Sequence, residues 1–250
     1  FKGGKAVAEP PEKIIIDEVQ RAPEIFTSIK ASIDKNRKPG RFILTGSANI
    51  FLLPKLSDSL AGRIEIIHLR PLAQAEIMGR QSSGLQNLFT RTTESNLKTT
   101  GYTKLGKRLF ELITSGGYPS ALSRKSESRK MAWYRDFTNT LIQRDIQDIA
   151  NIQHVSVLPK LLQLCAGQTG RLFNVSDLAS PFEISRPTIK EYIVLLEQIF
   201  LIEQIQPWHS NRLSRLIKTP KMHLADTGLA CSLLNAKAEN LHQDRGLLGQ

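Results

Sequence analysis

The 250-residue chain carries a formal net charge of +11, and 40% of its residues are hydrophobic. That apolar share supplies a core and excludes global disorder, while the lack of any run of 18 apolar residues excludes a membrane-spanning helix. Through Gly79 there are 12 basic and 9 acidic residues and in the remainder 22 and 14, so the basic excess is mostly C-terminal; it points to a polyanion such as nucleic acid or, more plainly, to a solvated basic surface.

The first third alternates strands and helices. Lys13–Ile16 is a short β-branched run and reads as a buried strand. A helix is expected from about Pro23, with Ile25, Phe26, Ile29 and Ile33 on one face. Pro39 and Gly40 break the chain, and Arg41–Leu44 reads as a second buried strand. The polar turn Thr45, Gly46, Ser47 leads into another helix, and Ile64–Leu69 reads as a third strand. Such alternation implies parallel pairing.

From Arg80 to Lys107 the sequence is polar and rich in Ser, Thr and Gly. A long helix is then expected to about Asp148, with Trp133, Phe137 and Leu141 on one face. Another runs near Val157–Gly167, with Leu158, Leu161, Leu162 and Cys165 on its apolar side. Leu172–Val175 is strand-like, and Ser176–Ala179 begins a short helix. Ser185 is a plausible N-cap for an amphipathic helix that buries Ile189, Tyr192, Ile193, Leu196 and Phe200. Ile202–Trp208 alternates like a β-wing, which completes the winged helix-turn-helix order.

Cys165 and Cys231 lie far apart without CxxC spacing. This argues against a zinc site or a disulfide framework and fits a reducing cytoplasm. The five histidines have no HExxH or other ligand spacing. Trp133 and Trp208 read as core residues rather than a stacking platform. The start at Phe1 and the apolar last residues suggest a fragment.

The most informative stretch is Ile14–Ile16 followed by Asp17 and Glu18. A buried strand that ends in two carboxylates places them where open parallel sheets bind ligands. Asp17 can then hold Mg²⁺, and Glu18 can deprotonate an attacking water. The plain alternative is a strand end followed by acids that cap a helix. Thr45 or Ser47, at the tip of the next strand, can contact the water or a γ-phosphate; both also suit a turn. Arg63, before the third strand, can neutralise phosphoryl charge as an arginine finger does, or simply form a surface ion pair.

IIIDEVQRAP, FILTGSAN and LAGRIEIIHLRPL resemble the ATPase core of a large prokaryotic family of AAA-type ATPases related to the STAND and archaeal ATPase groups. SGGYP (115–119), the helix around LIQRDI (141–146) and LADTGL (224–229) are similar to that family's C-terminal domain of unknown function. The resemblance implies Asp17 for magnesium, Glu18 for catalysis, Thr45 or Ser47 as sensor and Arg63 as finger, with ATP and Mg as ligands. The family's GxxxxGK(S/T) loop, whose amides and lysine hold the phosphates, does not occur here. The loop is expected upstream of Phe1, or else the copy is degenerate. Either way this chain alone is expected to bind ATP poorly and hydrolyse it negligibly.

In the winged-helix segment, Arg186, Thr188 and Lys190 would lie near the major groove of double-stranded DNA, with Arg212 and Arg215 near phosphates. Against this, Glu191 and Glu197 lie on the same helix, and such modules also serve as structural relays. Asp226 reads as an acid opening a helix capped by Thr227, in preference to a nuclease-type catalytic residue.

The expected fold class is α/β followed by mainly α. Residues 1–79 form a partial P-loop ATPase core with a parallel sheet, and 80–107 a polar linker or lid. A helical segment (108–154), a winged-helix-like domain (155–208) and the start of a C-terminal α/β segment (209–250) follow. The expected activity is Mg-dependent ATP hydrolysis driving a conformational switch in the full-length protein, with a homo-oligomer if Arg63 acts in trans. The alternatives are a DNA-binding regulator with a scaffold ATPase remnant and a protein–protein signalling switch.

Overall fold

The computed structural model describes residues 13–47, 60, 62–80, 105–146, 154–208, 210 and 219–249. β1 (Ile14–Ile16) and β2 (Phe42–Leu44) pair in parallel, with Ile14 opposite Phe42 and Ile16 opposite Leu44. α1 (Ile25–Lys35) lies between them in the chain. Phe26 and Ile29 are buried with Val19 and Leu60, and Ile16, Ile25, Ile33, Phe42 and Leu44 pack around them. Arg41 closes the C-terminal end of α1: its guanidinium donates to Ser32 O, Asn36 O and Ser32 Oγ at 3.0, 2.8 and 2.9 Å. These bonds satisfy carbonyls that a helix end leaves open.

Burial of the strands is one-sided. Ile15 and Ile43 are 70% and 49% exposed, because alternate strand side chains point to opposite faces and α1 covers one of them.

The expected third strand is not in the sheet; among the described residues that sheet has two strands. Ile64 still packs on the N-terminal cluster, but Ile67 and Leu69 are almost fully exposed. The segment crosses to the C-terminal half. There Arg70 forms a two-pronged ion pair with Glu203, at 2.8 and 2.5 Å, and Leu72 N donates to Gly117 O at 2.9 Å. These anchors replace strand pairing as the partners of the segment. α2 (Gln74–Ile77) follows. Most of the expected polar linker lies outside the described residues.

The C-terminal half is mainly helical: α3 (Lys107–Ser115), α4 (Pro119–Leu122) and α5 (Glu127–Thr140) come first. On α5, Trp133 stacks on Phe137 with ring centroids 4.8 Å apart. The expected long helix changes character at Leu141–Asp145, which forms a π-helical turn. α6 (Leu158–Ala166) buries Leu158, Leu161, Leu162 and Cys165 completely. α7 (Val175–Ala179) is N-capped by Asn174 and α8 (Arg186–Gln198) by Ser185, whose Oγ accepts from Thr188 N.

On α8, Ile189, Tyr192, Ile193 and Leu196 are buried as their spacing requires. Phe200 is not among them. It follows the helix with φ 59° and stays partly exposed, because its left-handed backbone turns the chain from α8 towards β3 (Ile202–Ile205). β3 pairs antiparallel with β4 (Lys221–Leu224). The expected strand at 172–175 is reduced to a bridge between Leu172 and Lys221. The expected wing ends as strand at Ile205, and Trp208, expected in a core, is 82% exposed.

α9 (Thr227–Leu233), α10 (Ala238–Gln243) and α11 (Arg245–Leu248) follow. α9 packs against α3, α5 and α6, and α10 against α3. Elements on both sides of the expected boundary at 208 therefore share one hydrophobic cluster, which runs from Ala121 to Ala230.

Candidate functional site

The chain turns sharply where β1 ends. Glu18 adopts φ 51° and ψ 46°, the left-handed region that non-glycine residues rarely enter. It precedes a single 3-10 turn, Val19–Arg21. Backbone bonds extend the ladder past the strands on both sides of this kink: Thr45 N donates to Ile16 O at 2.9 Å, and Val19 N donates to Thr45 O at 3.0 Å. The tips of β1 and β2 are thereby locked together.

Side chains reinforce the lock. Thr45 Oγ1 donates to Asp17 Oδ1. Gln20 Nε2 donates to Glu18 Oε2 at 2.5 Å and to Ser47 Oγ at 3.1 Å. Asp17 and Thr45 are exposed, whereas Glu18, Gln20 and Ser47 are half-buried. Four of the residues singled out from the sequence, Asp17, Glu18, Thr45 and Ser47, thus meet at the carboxyl ends of two parallel strands. Gln20 was missed. Its only trace in the sequence is a polar residue two positions after Glu18.

Arg63 does not join this group. Its Nε lies 2.8 Å from Asp34 Oδ1, on the last turn of α1. Asp34 is two residues beyond Ser32, which Arg41 contacts just before β2 begins. That pair therefore sits at the amino ends of the parallel strands, opposite Asp17 and Glu18. The hydrogen bond from Arg63 holds the Asp34 carboxyl below its usual range.

The donor set at the strand tips fits a hard divalent cation, since an exposed carboxylate and a hydroxyl supply oxygen ligands. Among the described residues no cluster of three or more His, Cys, Asp or Glu side chains encloses a metal. Mg²⁺ here would take its remaining ligands from nucleotide and water, as it commonly does. The described residues include no glycine-rich cradle for the phosphates.

The second candidate surface lies on α8. Arg186 and Lys190 are exposed and four residues apart, hence on one helix face. Thr188 is half-buried and shares a 2.8 Å hydrogen bond with Ser185. Glu197 is drawn onto β3, where its carboxylate accepts from Gln204 N and Nε2, each at 3.2 Å. Glu191 remains exposed. A groove of about 890 Å³ runs along this helix, lined by His154, Phe173, Ser185, Thr188 and Lys190 among others. Arg212 and Arg215 lie outside the described residues.

Asp226 itself, rather than Thr227, caps α9. It is 7% exposed. It accepts from Leu229 N at 2.9 Å, Gly117 N at 2.6 Å and Tyr134 Oη at 2.8 Å. These three bonds tie the carboxylate into the fold. It joins the SGGYP and LADTGL segments, a link that nothing in their spacing announces.

Residues 4–78 match the family described as an AAA domain. An uncharacterized protein of Mycobacterium tuberculosis is 27% identical over 221 residues, 88% of this chain and 44% of its own length, and its Mycobacterium bovis counterpart gives the same figures. An uncharacterized protein of Haemophilus influenzae is 24% identical over 239 residues, covering 92% of this chain and 54% of its own. The chain thus spans about half the length of these relatives. The matches support an AAA-like ATPase part followed by a C-terminal domain of unknown function. Residues 106–240, more than half of the chain, match the family described as Domain of unknown function (DUF8612), and the chain belongs to that family.

Proposed function

We infer that the full-length protein binds ATP with Mg²⁺ and hydrolyses it, using the tips of β1 and β2. The observation that carries this reading is the meeting of Asp17, Glu18, Thr45 and Ser47 at the carboxyl ends of two parallel strands, within the stretch matching an AAA domain. Mg²⁺ would supply charge neutralisation on the phosphates. Asp17 would hold it, with Thr45 fixing the carboxylate's orientation. Glu18 would take the proton of a water attacking the γ-phosphorus, as the bond to the leaving ADP oxygen breaks. Ser47 and Thr45 would contact that water or the γ-phosphate. This scheme requires a phosphate cradle that the described residues do not supply.

Arg63 enters this scheme only as a finger supplied to a neighbouring copy, which makes a homo-oligomer part of the proposal. The output is a conformational switch, with segment 64–72 as the connection from the ATPase part to β3 and Gly117. No helix among the described residues is long and apolar enough to cross a membrane. The test is steady-state hydrolysis by the full-length protein, wild type against Glu18→Gln. A fall in turnover of about 100-fold or more is expected, within the span that general-base catalysis contributes; equal rates remove hydrolysis by Glu18.

A second reading rests on α8. The order α6, α7, α8, β3, β4 is that of a winged helix, and Arg186 and Lys190 share an exposed face while Glu197 is turned inward. This supports contact with double-stranded DNA. Binding to generic duplex should weaken steeply with salt, and Arg186→Ala with Lys190→Ala should reduce the salt slope by about one per lost phosphate contact. Binding unchanged in the double variant removes α8 as the contact, and no salt-dependent binding of duplex by the wild type points to a protein–protein switch instead.

A further inference from the structure

Gln20 is the polar side chain at the strand tips to which the scheme above gives no task. Its carboxamide nitrogen has two hydrogens, and both bonds run to the other members of the site: Glu18 Oε2 at 2.5 Å and Ser47 Oγ at 3.1 Å. The contact to Ser47 spans 27 positions of sequence, so one side chain ties the tip of β1 to the tip of β2. The left-handed backbone of Glu18 turns the chain so that residues 18 and 20 meet.

The orientation of this amide is dictated. Turned over, its oxygen would face the Glu18 carboxylate, acceptor against acceptor. The nitrogen must point to Glu18, and the oxygen then points elsewhere. Gln20 Oε1 is buried and has no hydrogen-bond partner among the described residues. A buried acceptor without a donor is costly and uncommon. Its retention beside a carboxylate signals a donor that arrives during function.

Resting on the hydrolysis reading, the geometry points to Gln20 as a positioning residue. It holds Glu18 against the β2 tip, and it offers its free carbonyl to one hydrogen of the attacking water. Glu18 takes the other hydrogen as a proton when the oxygen bonds to the γ-phosphorus. With both O–H bonds directed, an oxygen lone pair of the water is left to face the phosphorus.

The experiment uses full-length protein with Mg-ATP as the probe. Gln20→Ala and Gln20→Glu are expected to lower kcat at least tenfold and to leave KM within about twofold, with unchanged melting temperatures. Added to Glu18→Gln, Gln20→Ala should cause little further loss, because the two act as a unit. Wild-type kcat in both Gln20 variants overturns the proposal, as does a loss that follows a fall in melting temperature. Equal turnover in wild type and Glu18→Gln would remove the hydrolysis reading instead. In that event the clamp is decided by nuclear magnetic resonance of glutamine-labelled protein. The Gln20 side-chain amide signal, identified by its loss in Gln20→Ala, is expected to move in Glu18→Ala. An unmoved signal overturns the contact.

Discussion

Tyr134 and Asp226 stand 92 residues apart and share a buried hydrogen bond of 2.8 Å. The same phenol lies 3.0 Å from Ser115 O, so its single proton is shared between two acceptors, and the other Asp226 oxygen accepts from Gly117 N. Three separate segments meet in this knot, and Gly117 O receives the incoming strap at Leu72 N. Asp226→Ala should therefore destabilise the protein by about 3 kcal/mol or more, since hydrogen bonds to a charged group are worth roughly 1.5–3 kcal/mol each. Tyr134→Phe should cost about 1–3 kcal/mol, the range for a buried group left unpaired, and the double variant less than the sum. Urea unfolding midpoints measure all three.

Glycine surrounds the same knot for want of room. An added Cβ on Gly116, where φ is +64°, would lie 2.2 Å from both Asp226 Oδ1 and Tyr134 Oη. On Gly228 it would lie 2.5 Å from Tyr134 Oη and 2.8 Å from the Gly116 nitrogen. Gly116→Ala and Gly228→Ala should each destabilise by at least about 1–3 kcal/mol, the range for forced overpacking. Gly79→Ala, with φ +62° and nothing within 4 Å of its Cβ, should cost less. Equal losses at Gly116 and Gly79, which share a positive φ, would mean that backbone strain, not crowding, sets the requirement at Gly116.

Stability should fall on the alkaline side. Burial, then the nearby Asp226 charge, pushes the Tyr118 and Tyr134 phenols well above their usual range. Burial likewise pushes the Cys165 thiol up to about 12 and Cys231 up to about 11. The folded chain keeps these protons where the unfolded chain releases them, near the ordinary values of 9.0 for thiols and 10.0 for phenols. The contribution is thus fully present below about pH 8.5, the unfolded thiol range, and is lost as pH rises through the folded values. Urea midpoints from pH 8 to 10.5 should decline, and less so in Cys165→Ala.

The position of Arg63 makes a separate prediction. It pairs with Asp34 at the amino ends of the strands, so the finger role proposed for it is one supplied to another copy. Full-length Arg63→Ala and Glu18→Gln should each be inactive alone and regain turnover when mixed. Wild-type turnover in Arg63→Ala alone removes the finger role. The Asp34 carboxyl is held below its usual value of 3.8. Its pairing therefore stabilises the fold above that value and is lost as pH falls through the folded pKa.

What the sequence determined was local. Three isoleucines followed by two acids specified β1 and its carboxylate tip, because β-branched runs form strands and acids end them. The spacing of Ile189, Tyr192, Ile193 and Leu196 specified the buried face of α8, and Ser185 its start. What only the tertiary structure decided was which distant residues share a bond. The Gln20–Ser47 contact spans 27 positions, and the bonds of Asp226 to Tyr134 and Gly117 span 92 and 109. The apolar alternation of Ile64–Leu69 reads as strand, yet anchors at Glu203 and Gly117 hold that segment elsewhere. Periodicity reports the face that a residue presents; it carries no information on the partner, because pairing is set by the free energy of the assembled core.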